Sequence, residues 1–349
     1  MTIKEKIPVG ILGVTGSVGR QFLRLLADHP WFRLTAAGAS HRSAGKTIAT
    51  AVADEDIPEH IATMPIVPCV PGEAMPCRIV FSGLDASVAG DIESDFARAG
   101  YIVISNSRNH RYDPDVPLMI PEVNPDHLEL ITSQNFGAGC IITNPNCSTT
   151  GLVLALKPLY DAFGVEAVHV TTLQAVSGAG YPGLPAIDMI DNVLPYIAGE
   201  EDKLEREPLK ILGDMKNGTI NPATITVSAH CTRVPVSDGH LECVSVKLTR
   251  TTTEKEIIDC WQNFRAKPQE LRLPTAPQQP LHYFADERLP QPRRQRHLEA
   301  GMAVSIGRLR PCALLDFKFV VLSHNTVRGA AGGAVLNAEL LAAQKQSLF

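Results

Sequence analysis

Short apolar runs alternate with polar, helix-compatible stretches through the first half of the chain. Val9-Gly10-Ile11-Leu12 reads as a buried strand, Gly13 to Gly19 as a tight glycine turn, and 20–26 as an amphipathic helix. Further strands fall at 34–37, 79–81 and 101–104, with a helical stretch at 86–99. Apolar strands separated by helices predict an α/β domain of Rossmann type, a parallel sheet joined by crossover helices. It is expected to span residues 1–146. The second half changes character, with β-rich runs at 167–174, 243–249 and 316–322 and no regular alternation with helices. That pattern predicts an α+β domain with a mixed or antiparallel sheet over 147–324.

Prolines interrupt a helical pattern at 186–212, and 267–296 is crowded with Pro, Gln and Arg. The latter reads as a surface excursion or a subunit contact. A helix is expected at 325–344, with a Gly/Ala-rich beginning and an apolar stripe through Val335, Leu336, Leu340 and Leu341. Its small residues permit close backbone approach, so the C-terminal segment 325–349 is assigned to the first domain. There is no internal repeat.

A chain of 349 residues that is 44% hydrophobic and 20% charged can bury two cores. Its formal net charge of -5 gives no basic field for nucleic acid or an anionic membrane, which leaves small molecules as partners. The eight cysteines lack Cys-x-x-Cys spacing, so no metal site is expected and reduced thiols in the cytoplasm are. The opening Met1 to Ile7 is too charged and short for a signal peptide, and no apolar run approaches membrane-spanning length.

Two motifs carry chemistry. Gly13-Val14-Thr15-Gly16-Ser17-Val18-Gly19, following a strand and opening a helix, suits a dinucleotide pyrophosphate. Glycine turns also join strands to helices in proteins that bind no nucleotide. The second strand ends Gly38-Ala39-Ser40-His41-Arg42-Ser43, where an NAD site carries an acid. Hydroxyls and a guanidinium suit the 2′-phosphate of NADP, although Arg42 and Lys46 read equally as solvated loop charges. The other motif is Asn144-Pro145-Asn146-Cys147-Ser148-Thr149, which sets one thiol at the start of an apolar helix. Unpaired N–H groups and the helix dipole there lower a thiol pKa toward thiolate. The plain alternative is a small buried apolar residue.

These segments, taken in order, resemble aspartate-β-semialdehyde dehydrogenases of the archaeal and fungal-type branch. The resemblance continues through Ser105-Asn106-Ser107 to Arg111, Pro121-Glu122-Val123-Asn124, Gln174 to Gly180, Gly199-Glu200-Glu201-Asp202-Lys203, Arg233 to His240 and Asn325 to Gly332. It implies NADPH-dependent reduction of L-aspartyl-4-phosphate to L-aspartate-4-semialdehyde through a cysteine thioester, in biosynthesis of lysine, threonine and methionine. By the same resemblance Cys147 is the nucleophile, His240 the acid/base and Gln174 the group orienting substrate. Arg233 grips the substrate carboxylate, Glu200 or Glu201 meets the amine, and Arg111 and Lys203 hold phosphate. Ser177, Gly178 and Asn325 touch the cofactor, and the protein is a homodimer or homotetramer. Arg108-Asn109-His110 and Leu241 depart from the family's usual residues and bear on the phosphate site.

The chemistry accounts for these residue types. Attack by Cys147 on an acyl phosphate divides one hard step into two. The Cys147 N–H, with the Asn146 amide, is placed to stabilise the oxyanion, at about 3 kcal/mol per donor. His240, ordinarily titrating at about 6.5, takes the thiol proton and returns it later. Taken singly, His240, Arg233 and the Glu200–Lys203 face read equally as structural or solvated groups. An N-acetyl-glutamyl-phosphate reductase is disfavoured by the residues around Cys147. A malonyl-CoA reductase of the same architecture, or a non-catalytic nucleotide-binding regulator, remains as the alternative.

Overall fold

The computed structural model describes residues 5–52 and 57–348. Residues 1–4 of the opening segment and residue 349 of the C-terminal one lie outside the described residues.

The first unit runs β1 (Ile7–Leu12), α1 (Ser17–Leu26), β2 (Phe32–Ala39), β3 (Ile66–Pro68), β4 (Ile79–Ser82), α2 (Ala86–Arg98), β5 (Ile102–Ser105) and β6 (Cys140–Thr143). Its six strands lie in the order β3-β2-β1-β4-β5-β6, every pairing parallel. This is the doubly wound order in which strand sequence reverses at β1 and β4, placing a crevice at their C-terminal ends. Val9, Ile11 and Leu12 of β1 and Ile79, Val80 and Phe81 of β4 are completely buried, so these strands are continuous apolar runs.

The chain then enters α3 (Cys147–Phe163), β7 (Val165–Gln174) and α4 (Glu200–Ile211). A small hairpin follows, β8 (Asp214–Lys216) with β9 (Thr219–Asn221). Next come β10 (Thr226–Arg233), β11 (His240–Leu248), α5 (Glu254–Asn263), β12 (Leu281–Phe284), β13 (Val304–Pro311) and β14 (Phe317–Ser323). The second sheet has the order β10-β7-β11-β14-β13-β12 and is mixed, as the second half of the sequence predicts. Its outer pairs, β10 with β7 and β12 with β13, are parallel and the inner three antiparallel. Along β11 every second side chain from His240 to Leu248 is buried, and this face lies under α3. Trp261 of α5 packs against α3 on the same face, donating its Nε1–H to Ala155 O at 2.9 Å.

After β14 a π-helical turn, Val327–Ala331, leads into α6 (Gly332–Gln344). Ala334, Val335, Ala338 and Leu341 share one apolar cluster with Val9, Phe22, Ile79 and Ile102, so α6 belongs to the first layer. The expected stripe is in fact an almost wholly buried helix. Its polar positions face partners: Asn337 donates to Asn144 Oδ1 at 2.6 Å, and Glu339 meets His29 Nε2 at 2.8 Å.

Two expectations need correction. The helical stretch at 186–212 reduces to a single turn, Ala186–Met189, and α4, with irregular chain between them around Pro195. The Pro-rich stretch 267–296 is partly structural, since it supplies edge strand β12. No helix among the described residues is long and apolar enough to cross a membrane.

Candidate active site

β6 delivers the chain to a turn, Asn144-Pro145-Asn146, that places Cys147 as the first residue of α3. Asn146 caps the helix, its side-chain oxygen accepting from Ser148 N at 2.9 Å and Thr149 N at 3.4 Å. From the other side the π-helical turn presses Gly329 against the nucleophile. A Cβ added at Gly329 would lie 2.6 Å from the Cys147 Cβ, so only glycine fits. A π-turn at a reactive residue is a recurrent functional feature.

His240 opens β11 with its Nε2 3.2 Å from the Cys147 Sγ. The Ala175 N–H donates to His240 Nδ1 at 3.0 Å, which leaves the neutral ring with its proton on Nε2, toward the sulfur. Burial, with the nearby Arg233 guanidinium, pulls His240 down to about 3. Burial, reinforced by the Glu200 carboxylate, pushes Cys147 up to about 12. At the sulfur, removal from water opposes the helix start, and the two shifts together favour thiol and neutral imidazole over the expected thiolate. With Nδ1 occupied by Ala175, Nε2 is the ring nitrogen that faces the sulfur.

Around the sulfur stands a ring of charge. Glu200, the first residue of α4, accepts from Asn146 Nδ2 at 2.8 Å and Gln174 Nε2 at 3.3 Å, and it pairs with Lys203. Burial pushes the Glu200 carboxyl up, but Lys203, Asn146 and Gln174 together outweigh it and hold it below its usual range. Arg233, at the end of β10, is buried and donates from Nη1 to Ala175 O at 2.8 Å. Arg111 is buried too, donating from Nη1 to Glu207 Oε1 at 2.7 Å and from Nη2 to Asn106 O at 2.8 Å. The structure thus gathers Cys147, His240, Gln174, Asn146, Glu200, Lys203, Arg233 and Arg111.

Glu201 is not among them. Its Oε1 accepts from the Cys231 N–H of β10 at 3.1 Å, because one residue's advance along α4 turns the side chain by about 100°. Of the two expected carboxylates, Glu200 and not Glu201 joins the group around Cys147. Asn146 gives one side-chain N–H to Glu200 and its backbone N–H to Glu207 Oε2 at 2.6 Å. Glu207 is the residue that sequence reading missed. Its signal was the spacing Glu200, Lys203, Glu207, Lys210, which puts four charges on one face of a helix.

The glycine turn lies at the crevice between β1 and β4. Gly13 has φ +82 and its Cβ would sit 2.9 Å from Gly83 O, so a side chain is excluded where a ligand backbone would approach. Gly16 precedes α1 without a side-chain cap, leaving the N–H groups of Ser17, Val18 and the following turn open to an anion. Gly13 N and Val14 N donate to Gly38 O at 2.9 and 3.0 Å, which holds the end of β2, with Ser40, the exposed Arg42 and Ser43, beside the turn. Thr15 lends its carbonyl to Arg20 Nε at 3.4 Å. Toward the second domain opens a cleft of about 610 Å³ lined by Ser17, Arg20, Ser177, Tyr181, His324 and Thr326. Asn325 braces its wall, donating to Ser177 Oγ at 2.8 Å and accepting from Gly239 N at 2.9 Å. Gly178 packs on the ring of His240, so this wall reaches the Cys147 pair.

Comparison with known proteins matches two family models, a semialdehyde dehydrogenase NAD-binding domain at residues 8–131 and a semialdehyde dehydrogenase dimerisation domain at 156–328. The aspartate-semialdehyde dehydrogenase of Schizosaccharomyces pombe is 48% identical over 97% of this chain and 98% of its own. That of Methanothermobacter thermautotrophicus is 46% identical over 96% and 99%. Among solved structures, the Candida albicans aspartate semialdehyde dehydrogenase with NADP superposes with a TM-score of 0.90 at 43% identity, covering 99% of this chain and 100% of that one. Aspartate semialdehyde dehydrogenase II of Vibrio cholerae, complexed with ASA, gives 0.80 at 28% identity, covering 98% and 100%.

Proposed function

The chain belongs to the aspartate-semialdehyde dehydrogenase family, and from that premise we propose that it reduces L-aspartyl-4-phosphate reversibly to L-aspartate-4-semialdehyde through a Cys147 thioester, using NADPH. The observation that carries this reading is the Cys147–His240 pair at 3.2 Å inside a ring of opposed charges. The product feeds the biosynthesis of lysine, threonine and methionine.

The residues present fit the dinucleotide. The side-chain-free approach at Gly13 and the uncapped start of α1 suit its pyrophosphate, with Thr15, Gly16, Ser17, Val18 and Gly19 forming the turn. Ser40, Arg42 and Ser43 suit the 2′-phosphate of NADP, and Ser177, Gly178 and Asn325 form the wall toward the sulfur. When bound, NADPH supplies the hydride that the acyl group accepts.

The protein's own part is acyl transfer. Arg233 receives the substrate α-carboxylate and Glu200, kept ionised, the α-ammonium. Cys147 Sγ bonds to the acyl carbon, the C–O bond to phosphate breaks, and the thiol proton leaves on the departing hydrogen phosphate. Arg111 and Lys203 receive that anion. The Cys147 N–H and His240 Nε2–H donate to the carbonyl oxygen as it gains charge. Keeping the imidazole neutral lets it serve as a hydrogen-bond donor without burying an uncompensated cation. After reduction the C–S bond breaks, the aldehyde departs and the thiolate takes up a proton from solvent.

The test is NADPH formation from aspartate semialdehyde and NADP, with and without phosphate, in wild type and Cys147→Ala. Strict phosphate dependence and loss of turnover in the variant support the reading. NADP binding without turnover in the wild type overturns it in favour of a nucleotide-binding regulator. Malonyl-CoA with NADPH tests the remaining rival, which the charged Glu200 disfavours because that substrate has no amine. The dimerisation-domain match and the exposed apolar residues Tyr181, Ile187, Ile190 and Tyr196 support a homo-oligomer.

A further inference from the structure

Helix α4 carries Glu200, Lys203, Glu207 and Lys210 at spacings of three, four and three, so all four lie along one face. Glu200 and Lys203 end at the sulfur. Glu207 and Lys210 go elsewhere. Glu207 is completely buried and bridges two segments: Oε1 accepts from Arg111 Nη1 at 2.7 Å and Oε2 from Asn146 N at 2.6 Å. One turn on, the Lys210 ammonium donates to three backbone carbonyls of a single loop, Arg111 O at 2.8 Å, Asp113 O at 2.7 Å and Val116 O at 2.8 Å.

We propose that Glu207 and Lys210 are positioning residues that hold Arg111 at the phosphate subsite in fixed register with the helix start bearing Cys147. This rests on the reading above, in which Arg111 receives phosphate. Arg111 stands in a loop between β5 and β6, and a loop guanidinium has several rotamers that miss a small anion. Lys210 uses all three ammonium hydrogens to fix the loop backbone at Arg111 and at Asp113 and Val116 beyond it. Glu207 then fixes the guanidinium itself. Because the same carboxylate holds the Asn146 N–H, the leaving-group site and the nucleophile share one rigid reference. Nη1 and Nη2 of Arg111 each have a partner, whereas its Nε is buried and unpartnered among the described residues. That donor is available to an incoming anion, as a buried unpaired N–H at a binding site should be.

The test is steady-state kinetics in the oxidative direction with phosphate, semialdehyde and NADP varied in turn, for wild type, Glu207→Gln and Lys210→Met. Circular dichroism and melting confirm folding first. Glu207→Gln should raise the KM for phosphate by about tenfold or more, since misplacement by about 1 Å costs up to about a hundredfold. The KM for NADP should stay within about twofold. Lys210→Met should move the phosphate KM in the same direction. Combined with Arg111→Gln, neither substitution should add its full effect, because both act through that guanidinium. A folded Glu207→Gln with a wild-type phosphate KM, or with every KM and kcat changed in proportion, overturns the proposal. If Glu207→Gln fails to fold, Lys210→Met decides by the same criteria. A wild-type rate that ignores phosphate sinks the underlying reaction, which is visible before any variant is made.

Discussion

Alkylation of Cys147 distinguishes a resting thiol from a resting thiolate. With the sulfur pushed up to about 12, the thiolate fraction at pH 7 is about one part in 10⁵. An ordinary exposed cysteine, titrating at about 8.5, is about 3% ionised at that pH. The difference is about three thousandfold in reactive form, before any steric exclusion by the surrounding side chains. The protein holds its own reference in Cys312, whose thiol is drawn below its ordinary value chiefly by the Leu315 backbone hydrogen bond. Ligand-free protein would be treated with iodoacetamide between pH 6 and 9, and the peptides bearing residues 147 and 312 quantified by mass spectrometry. Cys312 should react first, and the Cys147 rate should climb about tenfold per pH unit without levelling. Glu200→Gln removes the second cause of the upward shift and should speed Cys147 alone. A Cys147 rate that reaches a plateau below about pH 8 would show that the helix start wins over burial and refute the neutral pair.

Other outcomes follow from the same geometry. His240 and His324 are both depressed mainly by burial, to about 3 and about 4, below an unfolded value of about 6.5. As pH falls below 6.5 the unfolded chain takes up protons that the folded one refuses, so stability is lost in that direction. Two such groups cost about 2.7 kcal/mol per pH unit between about 6 and 4, and His324→Asn should make the fall of melting temperature with pH shallower. Gly329→Ala should fold yet lose about a hundredfold or more in kcat, because the added methyl displaces the nucleophile; a near-normal kcat would show that the turn yields instead. Glu200→Gln should raise the KM for aspartate semialdehyde while Glu201→Gln leaves it within about twofold, since only the former reaches the sulfur. Equal effects would place both carboxylates at the substrate.

What the sequence reveals depends on how each feature is encoded. The parallel strands were readable because both faces are covered and their apolar runs are unbroken, as in β1 and β4. β10 is hidden in the sequence because it pairs exposed Thr226, Ser228 and His230 with small inward residues such as Ala229 and Cys231, a pattern that resembles a polar loop. The glycine turn and the Asn146-Cys147 helix start are local in sequence and were legible for that reason. Electrostatic state is not local. The helix start near residue 147 favours an anion, yet the sulfur's environment is set by residues as distant as Glu200 and Arg233 and by exclusion of water. The imidazole's proton is fixed by a single backbone donor, Ala175, 65 positions away in sequence. That donor explains why the pair rests uncharged. With Nδ1 accepting, protonation would set two N–H groups against each other in a dry site. The ring is left with one N–H to donate, at Nε2, and in the proposed reaction that is where the oxyanion forms.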